Sequence, residues 1–195
     1  MYCAPTSEIV VFHDELVDKL TNGRGFIEDF TYIDLRSLRI KPIDGEPEQQ
    51  IPTLKEVFDF INRRVQINIE LKGPRTEDRV VRLIEEYVRH RGWSEDDFLI
   101  SSFDHYRVKR VRELSPRFKT GALMSGNPIG LAKYAEDLGC YFAGQDAAIV
   151  RKEFVDDAHQ RWLKVFCWTV NDPLKFKQLE AMGVDGVFTN FPDRF

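Results

Sequence analysis

The sequence predicts an α/β fold built on a parallel sheet, and three observations carry that reading. From residue 66 onward six short β-type runs, QINIELK, DFLISSF, TGALM, YFAGQDA, KVFCWTV and DGVFTN, alternate with segments of helical period. Their starts, at about 66, 98, 120, 141, 164 and 185, are separated by roughly 32, 22, 21, 23 and 21 residues, the rhythm of successive strand–helix units. The runs are almost continuously apolar, as strands covered on both faces must be.

Composition bounds what such a fold can do. The chain has 195 residues, with 28 Lys plus Arg against 32 Asp plus Glu, a net charge of −4, and 43% hydrophobic residues. That is enough apolar material for a sizeable core and the wrong charge balance for nucleic acid as the default partner. No apolar run approaches the roughly 20 residues of a membrane span. The three cysteines, Cys3, Cys140 and Cys167, are an odd number without metal-ligand spacing, so a reducing compartment is expected and not a disulfide scaffold. MYCAPTSEIVVFHDE has neither a basic start nor a long apolar segment, and a cytoplasmic location is expected. Nothing in the sequence bears on oligomeric state.

The elements can be justified in order. IVVFHD is an apolar β-type run ending on His13 and Asp14. The following stretch, about 14–52, is rich in Gly, Pro and charge without sustained period and reads as an irregular insertion. Thr53 and Glu56 form a capping-box pattern ahead of Val57, Phe58 and Ile61. A helix from near Thr76 stops at His90-Arg91-Gly92, a basic last turn with a glycine beyond it. Asn127-Pro128 and Asp172-Pro173 each place a capping side chain before a proline suited to the first helical position, and Gly139 and Gly183 stop those helices. Leu131, Ala132, Ala135 and Leu138 form one core stripe, and Leu174, Leu179 and Met182 another. His105 and His159 are read as lying in or near helix starts among solvated charge.

In a parallel α/β fold, chemistry gathers where strands end. Glu70 closes a buried strand, where its charge must be met by a metal ion or by a cation such as Lys72, two residues along on the same face. Lys72 suits a phosphate oxygen or simply water. His13 offers a proton donor titrating near neutrality, or a hydrogen-bonded strand-end residue. Phe103, after Ser101 and Ser102, can line a pocket mouth or belong to the core, and Trp168 offers a flat apolar wall. Asn171 is read as a helix cap. The serines have no neighbouring base and no GxSxG elbow, which argues against a serine hydrolase.

Taken together, VVFHDELVDKLTNGRG, IPTLKEVF, INIELK, LISSF, WTVN and GVDGVFTNFP, in this order, resemble the glycerophosphodiester phosphodiesterase family over nearly the whole chain. The resemblance implies a TIM (β/α)8 barrel in a single domain, 1–195, and hydrolysis of a small-molecule glycerophosphodiester to glycerol 3-phosphate and an alcohol, with a divalent metal. By position, His13 matches the second catalytic histidine, Glu70 a metal-binding glutamate, Lys72 the lysine beside the phosphate, and Trp168 the tryptophan near the substrate. Phe103, as a pocket-mouth residue, is the remaining substrate-binding candidate. Oxygen donors suit Mg2+ or Ca2+. The family's opening His-Arg-Gly, its Glu-Asn-Thr and its Glu-x-Asp have no counterpart here, so the first strand–helix unit, most of the second strand and two of three carboxylate ligands are expected to be absent. His90-Arg91-Gly92 follows a helix and cannot stand in for the first of these. Weak or no turnover is therefore expected. The alternatives are a phosphate-binding pseudoenzyme and a related phospholipid phosphodiesterase.

Overall fold

The computed structural model describes residues 1–4, 8–42 and 47–195. Positions 43–46 of the expected insertion, and 5–7 of the opening stretch, lie outside the described residues. The chain divides into two compact units, Met1–Phe98 and Leu99–Phe195.

In the first unit, β1 (Tyr2–Cys3) and β2 (Ile9–Val10) pair antiparallel, Tyr2 opposite Val10. The chain then runs irregularly through 14–42, as its composition suggests, but it is not loosely held. Single bridges join Leu16 to Phe26, Thr21 to Ile40 and Ile40 to Gln49, and Val17, Ile27, Leu35 and Ile51 are fully buried with Tyr2, Val10 and Phe12. A short helix, α1 (Tyr32–Ser37), opens with a capping box between Thr31 and Asp34 that satisfies the first free N–H groups.

The capping box at Thr53 and Glu56 starts α2 (Leu54–Ile61). Its buried Leu54 and Phe58 recur at the four-residue spacing of one helix face. Phe58 packs against Tyr87, Trp93 and Phe98 with ring centroids 5.0–5.6 Å apart. Then follow β3 (Ile67–Glu70), which buries Ile67 and Ile69 and turns Asn68 and Glu70 to its other face, and α3 (Glu77–His90), which ends at Arg91 and the left-handed Gly92.

The second unit is a run of strand–helix units on a parallel sheet. Its strands are β4 (Phe98–Ser102), β5 (Lys119–Met124), β6 (Phe142–Asp146), β7 (Lys164–Trp168) and β8 (Gly186–Val187), each paired with the next. Together with β3, the strands begin within one residue of the positions expected from sequence. The helices are α4 (His105–Leu114), α5 (Lys133–Asp137), α6 (Lys152–Gln160) and α7 (Pro173–Met182). Ala122, Ala143, Val165 and Cys167 of the sheet share one core with Ala135, Phe154, Val155, Ala158 and Leu179 of the helices.

Four local readings need correction. The helix after Asn127-Pro128 starts only at Lys133, and its free N–H at Ala132 is met by Asp157 at 2.9 Å instead of by Asn127. Leu174 is exposed, so α7 buries Leu179 without a continuous stripe. His159 lies in the last turn of α6, paired with Asp185 at 2.8 Å. His105 does open α4, but its ring stacks on Tyr134 and meets the Leu123 carbonyl at 3.0 Å, so it is packed and not solvated.

Among the described residues no helix is long and apolar enough to cross a membrane.

Candidate functional site

The expected residues fall into two groups, one in each unit. In the first, Val11 N–H donates to the Pro52 carbonyl at 2.8 Å and Val10 bridges to Thr53, which fixes the strand end that carries His13. Backbone N–H groups of Lys72 and Gly73 donate to the Met1 carbonyl at 3.2 and 3.0 Å, and the Met1 nitrogen donates to the Glu70 carbonyl at 2.6 Å. Gly73 is required there, because a Cβ would stand 2.6 Å from the Tyr2 ring. The two pinned segments bring together residues 59 positions apart in sequence.

Lys72 Nζ lies 3.4 Å from His13 Nε2 and 3.4 Å from Glu70 Oε1, while Glu70 Oε2 lies 3.9 Å from His13 Nε2. Of the two alternatives open for Glu70, a metal ion or Lys72, the ion pair with Lys72 is formed. On the other side of the imidazole, Nδ1 meets Asp14 Oδ1 at 2.7 Å. A carboxylate can only accept, so Nδ1 carries hydrogen, and in the neutral ring Nε2 is left as the acceptor facing the ammonium. The imidazole hydrogen bond holds the Asp14 carboxyl below the usual carboxylate range. His13 is largely exposed, whereas Glu70 and Lys72 are each about three-quarters covered.

Tyr2 completes this group. It is buried, and its hydroxyl is pushed up to about 12 by that burial and by Glu15, Glu28, Glu70 and Asp14. It thus stays neutral among carboxylates.

These residues do not fit a resident divalent ion. Among the described residues no three His, Cys, Asp or Glu side chains converge on one point. Glu70 is paired with an ammonium, whereas Mg2+ and Ca2+ want several oxygens.

In the second unit Phe103 and Trp168 stand edge to face, with centroids 5.2 Å apart. Phe103 is 44% exposed, so it is surface and not core. Gly144 is what lets the indole lie over β6, since a Cβ there would collide with Leu123 and come within 2.9 Å of Trp168. Asn171 is not the helix cap. Asp172 accepts from Leu174 N–H at 2.9 Å in that role, and Asn171 Oδ1 instead accepts from Asn190 N–H at 2.9 Å, tying the loop after β7 to the loop after β8. No local signal separates two adjacent capping residues. Ser102 Oγ accepts from Asp104 N–H at 3.1 Å, a turn-holding role.

A group holding a proton-bearing imidazole, an ammonium and a carboxylate can bind an oxyanion and move a proton beside it. The chain is similar to several known proteins. The glycerophosphodiester phosphodiesterase of Caldanaerobacter subterraneus is 32% identical over 193 residues, covering 95% of this chain and 77% of that protein. That of Bacillus altitudinis is 31% identical over 198 residues, covering 95% and 78%. Among solved structures, a phosphodiesterase of Oleispira antarctica in complex with the product sn-glycerol-3-phosphate superposes with a TM-score of 0.83 at 27% identity, covering 95% of this chain and 76% of that one. The glycerophosphodiester phosphodiesterase of Thermotoga maritima gives 0.70 at 25%, covering 96% and 77%. The family model for glycerophosphoryl diester phosphodiesterases matches residues 7–194, and the chain accordingly belongs to that family of phosphoric diester hydrolases.

Proposed function

We propose that the chain binds a glycerophosphodiester with a phosphate oxygen against Lys72, and that a water oxygen bonds to phosphorus as the bond to the alcohol oxygen breaks. His13, protonated on both ring nitrogens, delivers its Nε2 proton to that departing oxygen, glycerol 3-phosphate is the other product, and the water's surplus proton passes to solvent. The observation that carries this reading is the position of Lys72 Nζ, 3.4 Å from His13 Nε2, which sets the phosphate-holding charge beside the proton donor. Asp14 accepts from Nδ1–H, which orients the ring and leaves Nε2 as the nitrogen that transfers the proton. Trp168 and Phe103, in the second unit, are the apolar pair that the family resemblance assigns to substrate contact. Glu70 balances the ammonium. The divalent ion that family membership implies, Mg2+ or Ca2+, has no converging ligand set around Glu70 among the described residues, and turnover is proposed to be weak.

The test is hydrolysis of glycerophosphocholine by this chain with added Mg2+ or Ca2+. Slow release of glycerol 3-phosphate, lowered on the order of 10²-fold or more by His13→Ala, is the expected result. Robust turnover would overturn the weakness, and turnover unchanged in His13→Ala would overturn the assignment of the acid. A second reading, binding without cleavage, is favoured by the missing convergence of metal-ligating side chains. Calorimetric binding of glycerol 3-phosphate, lost in Lys72→Ala, with no hydrolysis at all would select it.

A further inference from the structure

The aromatic pair of the second unit has an acidic neighbour that the reaction at His13 does not use. Asp146 closes β6 and pairs in register with Trp168 at the end of β7. Strand residues two apart share a face, so Asp146 stands on the face of Gly144, over which the indole lies. Neighbouring strands are about 4.8 Å apart, which sets Asp146 directly beside the tryptophan, while Phe103 meets the indole edge to face. All three residues are open to solvent, Phe103 exposed and the other two half-buried. Asp146 Oδ1 accepts from Ala148 N–H at 2.8 Å and shapes the turn after β6. The carboxylate has no cationic partner among the described residues.

This combination selects a ligand. Two rings at 81° form a corner walled by aromatic surface, and the negative ring faces and the carboxylate all attract positive charge. A primary ammonium brings three N–H donors, and with Oδ1 engaged in the turn the corner offers it one uncommitted carboxylate oxygen. A fully alkylated ammonium has no such demand. Its methyl groups can lie against the rings while its charge is met by Asp146.

We propose that Phe103, Trp168 and Asp146 form a site for a quaternary ammonium group, with Trp168 as the cation–π surface and Asp146 as the counter-charge. The inference deepens the substrate contact assigned to the aromatic pair and rests on that assignment, not on proton transfer by His13.

The experiment is calorimetry on the full chain with choline, with its neutral carbon isostere 3,3-dimethylbutan-1-ol, and with ethanolamine. Choline is expected to saturate at roughly 10 mM or below and at least tenfold more tightly than either of the others. Asp146→Asn keeps an oxygen for the Ala148 N–H and removes only the charge. It is expected to weaken choline about tenfold and to leave the neutral isostere unchanged. Trp168→Leu is expected to remove choline binding, and should it fail to fold, the exposed Phe103→Leu, expected to weaken choline severalfold, takes its place. Absence of saturable choline binding, equal binding of the isostere or of ethanolamine, or an affinity indifferent to Asp146→Asn would each overturn the proposal. Choline binding without hydrolysis of glycerophosphocholine would support this site and count against the reaction, whereas hydrolysis without choline binding would overturn the site and spare the reaction.

Discussion

At His13 the function turns on which ring nitrogen is free. Asp14 claims Nδ1 at 2.7 Å, which leaves Nε2 toward Lys72 and Glu70. Replacing Asp14 by Asn removes the negative charge that supports the doubly protonated ring, the form that can give up a proton from Nε2. Asp14→Asn is therefore expected to lower glycerophosphocholine turnover about tenfold while leaving glycerol 3-phosphate binding nearly unchanged, measured by initial rates and calorimetry. Loss of both together would mean that Asp14 serves the fold and not the imidazole. In the second unit, Gly144→Ala is expected to destabilise by about 1–3 kcal/mol and to alter the near-ultraviolet tryptophan dichroism, because the new methyl must displace Leu123 or Trp168. An unchanged tryptophan signal would count against that contact. At this scale the sequence was informative where a residue's meaning is local, and His13 beside Asp14 could be read directly. Tyr2 could not, because its character comes from burial and from carboxylates as far along the chain as Glu70.

At the scale of elements, the second unit is tied at the starts of its last strands by one carboxylate. Asp185 accepts from Lys164 Nζ at 2.7 Å, from His159 Nε2 at 2.8 Å and from Val165 N–H at 2.9 Å, joining the approach to β8 to β7 and the end of α6. Burial raises its pKa, but the three hydrogen bonds outweigh burial and leave the carboxyl below its ordinary value. The unfolded chain therefore binds this proton first, and the stabilisation is fully present above about pH 4 and lost as pH falls through the depressed native value. Urea midpoints of the wild type and Asp185→Asn are expected to differ at pH 7 and to converge at low pH, and a constant gap would contradict the linkage. Thr53→Ala, which removes half of a capping box, is expected to cost about 1 kcal/mol by the same measurement. That cap was legible because both of its partners lie within four residues. The start of α5 was not, because its cap comes from Asp157, 25 residues away. The pairing of His159 with Asp185 was missed for the same reason, across 26 residues.

Across the whole molecule, the succession of strand–helix units was readable because each unit repeats the same local grammar of apolar run, cap, helix and stop. The candidate site was readable only as candidates, since nothing in sequence says that residues 13 and 72 meet. The cysteines follow the same division. Their number argued against a disulfide scaffold, and in the structure Cys140 and Cys167 are free thiols. Burial pushes Cys140 up to about 11 and Cys167 up to about 12, so neither supplies appreciable thiolate at neutral pH. Both are expected to resist alkylation at pH 8 in the native chain and to react on denaturation, followed by peptide mass mapping. Native labelling of either would show that its helix layer opens readily.

The clearance at Gly144 reaches further than one contact. A residue with no functional group, on β6, sets whether a tryptophan can occupy the end of β7, so a mutational scan would find position 144 intolerant although it touches no reacting atom. The intolerance is conditional, because replacing Trp168 by a smaller side chain removes one of the two obstacles to a methyl group there. Positions 144 and 168 should therefore be epistatic, with Ala at 144 better tolerated behind a smaller neighbour than behind the indole, and the order in which the two changes arise would decide which lineages could acquire both.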